Sequence, residues 1–488
     1  MGSNVRLGNA TLGAIRGAAT PAYNRSETIE GIVHLGVGAF HRAHQAVYVD
    51  DRLAAGEHGW AIAGVSLRSP DTHDALAPQD GLYTVASRSG AGEELRVIGA
   101  LTSLLVAPED PSAVLACLTD PRTRIVTLTV TEKAYLRGAG GDLDASHADI
   151  QWDLQNPDRP RSVFGFLAGA LAGRRRAGTA PFTVLCCDNL PANGETVQKL
   201  LLQFAGLKGG DLARFIRDEV ACPSTMVDRI VPATTDADRD RVSAALGVED
   251  AWPVMTEPFM QWVVEENFSA GRPRWEECGV TMVSDVRPFE EMKLRLLNGA
   301  HSAIAYLGLL TGHETVSAAF ADPRIRNFVD RLWGEAIPTL PKDAGLEPRA
   351  YTAALAERFA NPALKHRTGQ IAMDGSQKLP QRILSTARAR LADGAPASHL
   401  MLVVAAWIAC CRERGHGLPA GHFADPLDST LTAIFARIKA PEALVAEVFA
   451  AAGFAGDEPL RALAAGHLKT IIDKGAGEAM AAAAREGA

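Results

Sequence analysis

The first half of the chain alternates short β-rich runs with stretches of helical periodicity. This alternation restricts the fold more than any other feature, because successive strands joined by helices pair in parallel. G-I-V-H-L-G (31–36) is an apolar run ending in glycine, 41–56 has helical spacing, and W-A-I-A-G-V-S-L (60–67) is a second buried strand, so together they form one βαβ unit. R-I-V-T-L-T-V-T (124–131) and P-F-T-V-L-C-C (181–187) add further strands. Between them 162–178 reads as a crossover helix, with Arg174, Arg175 and Arg176 at the end where the helix dipole favours cations. L-Y-T-V-A-S-R (82–88) and L-R-V-I-G-A-L (95–101) read as a hairpin.

From about residue 288 the pattern changes to long helical stretches, such as 290–310 and 398–414, and the alanine-rich end from about 448 is also helical in pattern. A boundary is expected at Val286 to Phe289, punctuated by Pro288. The predicted class is α/β: a Rossmann-type dinucleotide-binding domain over 1–286 and a mostly α-helical substrate-binding domain over 287–488.

Composition narrows the partners. With 49 Lys plus Arg against 57 Asp plus Glu, a net charge of -8 and Arg174–Arg176 as the longest basic cluster, neither nucleic acid nor an anionic membrane is an expected partner; a small molecule is. The seven cysteines show no C-x-x-C spacing and read as thiols in a reducing compartment. No signal-like apolar core opens the chain and no apolar run of about 20 residues follows, so a cytoplasmic location is expected. The sequence leaves the oligomeric state open.

In G-V-G-A-F-H, Gly36 and Gly38 stand between strand and helix, where a Rossmann turn points backbone N–H groups at a pyrophosphate. His41 replaces the third glycine of G-x-G-x-x-G, and a plain strand-to-helix turn would read the same way. After the second strand, Asp71 suits the ribose diol of NAD and Arg68 a 2'-phosphate; the reading favours NAD.

In E-E-M-K-L-R-L-L-N-G-A-H, Glu290, Lys293, Asn298 and His301 fall within an arc of roughly 140° at about 100° per residue. Leucines fill the rest of the helix, so Lys293 is expected to be desolvated and its pKa lowered, as a general base working near neutrality requires. A charged stripe on an amphipathic helix is the alternative. Hydride transfer from a secondary alcohol needs a base and donors for the developing alkoxide, and lysine with asparagine suffices. No metal is expected, because the histidines and cysteines lack ligand spacing, and His34, His41 and His44 are read as lining the turn.

These residues resemble the long-chain polyol and hexuronate dehydrogenase family, the mannitol dehydrogenase family, which includes mannitol 2-dehydrogenase and fructuronate reductase (D-mannonate oxidoreductase). The resemblance runs through IVHLGVGAFHRAHQAVYVDD, TLTVTEKAY, FTVLCCDNLPANG, PSTMVDRIVP, EPFMQWV, SAGRPRWE and MKLRLLNGAHSAIAYLG. The last carries the family's Lys-x4-Asn-x2-His spacing as Lys293, Asn298 and His301. The resemblance implies Lys293 as acid/base without a metal, Asn189 and Asn298 on the reacting oxygen, His301 orienting the substrate, and Glu290 on a proton path. It implies Asp228 on substrate hydroxyls, and Gly36, Gly38, Phe40, Asp71 and Glu132 at the cofactor. From the residues alone, Asp228 and Glu132 would pair with Arg229 and Lys133.

The segment 364–382 resembles the fructuronate reductase branch, whereas mannitol dehydrogenases tend to carry arginine where Gln370 stands. A uronate carboxylate calls for a fixed cation, with His366, Arg367 and Lys378 as candidates or, alternatively, as members of a solvated loop. The expected activity is NAD-dependent interconversion of a keto sugar acid and its alcohol, D-fructuronate and D-mannonate first. The alternatives are a mannitol 2-dehydrogenase or related hexitol or pentitol dehydrogenase and, in another class, a non-catalytic NAD(H)-binding sensor.

Overall fold

The computed structural model describes residues 5–138, 140–342, 344–414, 423–454 and 458–486. Backbone contacts divide the chain into two compact units, Met1–Arg287 and Pro288–Ala488.

The first unit is built on a five-stranded parallel sheet in the order Leu101–Val106, Ala61–Ser66, Glu30–Leu35, Ile125–Leu128, Thr183–Cys186. Ala61–Ser66, Ile125–Leu128 and Thr183–Cys186 are buried along their whole length and mostly apolar because both faces of the sheet are covered. Val33, Leu35, Val126 and Leu128 pack on one side with Phe164, Leu167 and Leu171. Ile32, Ile62, Ile125 and Leu185 pack on the other with Val47 and Leu53. The helix Val163–Ala177 begins at Ser162, whose Oγ accepts the Gly165 N–H, and ends at Gly178 with φ +67. Because strand order reverses beside Glu30–Leu35, a crevice opens at the carboxyl ends of that strand and Ile125–Leu128.

The expected hairpin is present as Tyr83–Ser89 with Gly92–Ile98, but in a separate sheet with Val254–Thr256. Leu101, expected at its end, instead begins a strand of the parallel sheet. The run breaks at Gly99, whose N–H donates to Asp50 and whose carbonyl accepts from Arg25, leaving neither for a ladder. A third sheet joins Thr225–Asp228, Gln261–Glu265 and Thr281–Val283.

The second unit is helical, with Gly299–Leu310 and Ser398–Glu413 almost wholly buried. Its alanine-rich end folds as Pro441–Ala451, Glu458–Lys474 and Ala476–Glu486. The seven cysteines are free thiols. Among the described residues, no helix is long and apolar enough to cross a membrane.

Candidate active site

In the first unit the two turn glycines serve different purposes. Gly36 has φ +96, and a Cβ there would lie 2.3 Å from the Thr129 carbonyl oxygen, so the fold itself demands glycine. At Gly38 the nearest atom to a Cβ would be the Gly36 oxygen at 3.9 Å; the protein leaves that space open. Beside it lies a cavity of about 610 Å³ lined by Gly36, Gly38, Ser66, Arg68, Thr129 and Phe166 among others. Open space at Gly38, and the N–H groups of a helix first turn at Ala39 that Gly38 leaves without a side-chain cap, fit a dinucleotide pyrophosphate.

His41, which replaces the third glycine, lies flat on His34, with ring centroids 3.3 Å apart. Close strand–helix packing is thus achieved by ring stacking. His34 is bonded to Thr127 Oγ1 (2.7 Å) and Thr129 Oγ1 (2.9 Å), and His44 to the Gln261 carbonyl (2.8 Å). Burial pushes His34 down to about 3 and holds His41 well below the usual range, so this stack is uncharged.

The cavity lining does not include every residue expected at the cofactor. Asp71 opens the short helix Asp71–Leu76, exposed, and accepts from Ser69 Oγ at 3.0 Å, whereas Arg68 does line the cavity. Phe40 stacks on His44 at 5.0 Å. Glu132 is exposed and pairs with Arg137 at 2.6 Å, not with Lys133. The described bonds of the Arg229 guanidinium run to the Ala43 and Glu257 carbonyls and to Met260 Sδ. Asp228 is buried at the end of its strand, opposite Gln261.

Asp188 escaped the sequence reading. Its carboxylate accepts from the N–H groups of Val130 (2.9 Å) and Thr131 (3.1 Å) and from the Tyr135 hydroxyl (2.6 Å), while burial raises its pKa. Thr131 has φ +71, a strained value for a β-branched residue, and Asp188 holds it there. Asn193 donates to the Asp188 and Thr225 carbonyls and accepts the Thr225 N–H, tying the Asn189 loop to the strand that carries Asp228. The one signal was an aspartate beside Asn189 at a strand end.

In the second unit the lysine helix is not uniform. Arg287–Met292 and Gly299–Leu310 are α-helical, but Lys293–Asn298 is a π-helical turn. Residues five apart on an α-helix point about 140° apart; one added residue per π-turn brings Lys293 and Asn298 to about 40°. The arc holding Glu290, Lys293, Asn298 and His301 narrows from the expected 140° to roughly 80°. Lys293 and Glu290 are half-buried rather than dry, because Leu294 is itself only half-buried and the helix anchors through Leu296, Leu297 and Ile304.

His301 is buried, and among the described residues its Nε2 has no hydrogen-bond partner. Burial, then His366, Arg358 and Arg382, hold its pKa well below the usual value, so the ring is neutral. A buried imidazole nitrogen without a partner costs about 1–3 kcal/mol, which a ligand hydroxyl would relieve. His366 meets His301 edge to face at 5.5 Å, and its Nδ1 also lacks a partner among the described residues.

Of the expected cations, His366 is held toward neutrality by burial. Arg367 is exposed. Lys378 donates to the Met373 carbonyl at 2.7 Å and lies 3.6 Å from Asp374. Among the described residues, no group of three or more His, Cys, Asp or Glu is placed to hold a metal ion.

The model of the mannitol dehydrogenase Rossmann domain matches residues 30–277, and that of the mannitol dehydrogenase C-terminal domain matches 285–460. The chain belongs to the mannitol dehydrogenase family. D-mannonate oxidoreductase of Escherichia coli (strain K12) is 40% identical over 477 residues, 95% of this chain and 98% of that protein. Mannitol 2-dehydrogenase of Aspergillus terreus (strain NIH 2624 / FGSC A1156) is 44% identical over 398 residues, 79% of each. The Pseudomonas fluorescens mannitol 2-dehydrogenase structure, a ternary complex with NAD and D-mannitol, superposes with a TM-score of 0.83 at 36% identity, covering 99% of this chain and 100% of that one. These mannitol dehydrogenase relatives are oxidoreductases acting on CH–OH groups, and this chain is a polyol or sugar-acid dehydrogenase.

Proposed function

We propose that this dehydrogenase uses NAD and interconverts a keto sugar acid and its secondary alcohol, D-fructuronate and D-mannonate. The observation that carries the reading is the face of the lysine helix, where a π-turn brings Lys293 and Asn298 into line with a buried His301 whose Nε2 lacks a partner. Support for the acid comes from the D-mannonate oxidoreductase that matches nearly end to end. Support for a dinucleotide comes from the open position at Gly38, and support for NAD from the NAD-bound relative.

NAD, held at the Gly36 and Gly38 turn, would supply the hydride acceptor for the carbinol carbon. As the alcohol is oxidised, neutral Lys293 Nζ takes the hydroxyl proton; in reduction its ammonium gives the proton back. The side-chain amides of Asn298 and Asn189 donate to the reacting oxygen and stabilise its growing charge. His301, neutral, bonds a substrate hydroxyl through Nε2. Asp228 accepts from another hydroxyl, and Glu290 relays the proton to solvent. Gly36 shapes the turn and Gly38 leaves room for the pyrophosphate.

A second reading, mannitol 2-dehydrogenase activity, is favoured by the mannitol-bound relative. Initial rates with fructuronate and fructose, each with NADH and NADPH, separate the two. The proposal expects NADH over NADPH and a kcat/KM for fructuronate at least about 100-fold above that for fructose. Preference for fructose installs the second reading, and NADH binding without turnover on either substrate overturns both.

A further inference from the structure

The cations read from the sequence leave a sugar-acid carboxylate unmatched, since His366 is held toward neutrality, Lys378 is already bonded and Arg367 is exposed. Arg382 has the missing character. It lies in a second π-helical turn, Pro380–Leu384, packed against the first. A Cβ on Gly299 would stand 3.3 Å from the Arg382 carbonyl oxygen, so glycine at 299 lets the two turns approach.

The Arg382 side chain is half-buried, and its contacts are weak. Nη1 is 3.5 Å from the Asn298 carbonyl oxygen and 3.3 Å from Ser302 Oγ, both at the long limit of hydrogen bonding. Among the described residues it forms no ion pair, in contrast to Arg52, Arg96 and Arg272, each held by two carboxylates. Burial lowers its pKa, yet a guanidinium stays charged throughout the working pH range. A poorly solvated cation without an anion is costly to fold around unless a ligand completes it. Its field reaches His301, one of the residues that hold that imidazole neutral.

We propose that Arg382 determines specificity for sugar acids by taking the substrate carboxylate on its guanidinium fork, beside the Lys293, Asn298 and His301 face. This rests on the sugar-acid reading above. A planar fork suits a carboxylate and gives little to a neutral hydroxymethyl group, so Arg382 affects the choice between acid and polyol.

The test compares wild type, Arg382→Gln and Arg382→Lys as full chains, with kcat and KM measured for fructuronate and for fructose. In Arg382→Gln the ratio of kcat/KM for acid to that for neutral ketose is expected to fall about 100-fold, chiefly through KM for the acid, with partial recovery in Arg382→Lys. Retained NADH binding and an unchanged circular dichroism spectrum establish that each variant is folded. Equal losses on both substrates in a folded variant overturn the proposal and leave Arg382 a packing role. If Arg382→Gln does not fold, Arg382→Lys decides: loss of the fork lowers the ratio about tenfold, and an unchanged ratio overturns the proposal. Wild type that rejects fructuronate sinks the sugar-acid reading and this one together, whereas wild type that accepts it beside an Arg382→Gln variant with an unaltered ratio sinks this one alone.

Discussion

In the first unit the proposed ligand-facing surface at the cofactor turn is backbone: Gly36 bends the chain beneath Thr129 and Gly38 leaves its Cβ position open. In the second it is side chains, kept in register by a π-turn that takes up one residue between Lys293 and Asn298. The first design depends on what is absent, and any added atom harms it. The second depends on angle, and tolerates change in composition better than change in spacing.

That contrast is open to direct attack. Inserting one alanine between Lys293 and Asn298 rotates Asn298 and His301 about 100° away from Lys293 and should lower turnover about a thousandfold. Deleting Leu294, which leaves lysine and asparagine four apart on an ordinary α-helix and still about 40° apart, should cost far less. Steady-state rates on the pair check this, and equal damage from both would show that angle is not what matters. Next in size, Gly36→Ala should destabilise the protein by about 3 kcal/mol, read from denaturant midpoints, because its Cβ meets the Thr129 carbonyl at positive φ. Gly38→Val should leave stability nearly intact but weaken NADH binding about 100-fold by fluorescence titration; an unchanged affinity would remove Gly38 from the cofactor site.

The last test concerns protons. His34, His41 and His301 are all held below their ordinary pKa by burial, so the unfolded chain binds protons that the folded chain refuses. Their contribution is fully present above about pH 6.5 and is lost as pH falls, in the case of His34 toward a value of about 3. Melting temperatures between pH 7.5 and 5 should fall accordingly, and a flat profile would show the rings to be less buried than the structure places them.

Legibility in the sequence followed the same divide. The strand–turn–helix unit around Gly36 and Gly38 follows local rules, and so do the buried strands and the crossover helix capped by Ser162. The strand Leu101–Val106 was hidden because its separation from the hairpin depends on Asp50 and Arg25 holding Gly99, contacts distant in sequence. The lysine helix was recognisable by its residues, but reckoning at α-helical angles spread them too widely, since a π-turn leaves no mark on composition. Asp188 and Arg382 were invisible as functional groups for a related reason. One matters through the loop it holds at Thr131, the other through a second π-turn nearly ninety positions beyond Lys293 in the chain.

The central claim is that the amine of Lys293 moves the proton. Lys293→Ala, assayed for turnover and for NADH affinity in parallel, tests it most directly. The account predicts turnover lowered about a thousandfold or more with affinity changed less than about twofold, and partial recovery on adding a small primary amine. Turnover near that of wild type without added amine would contradict it.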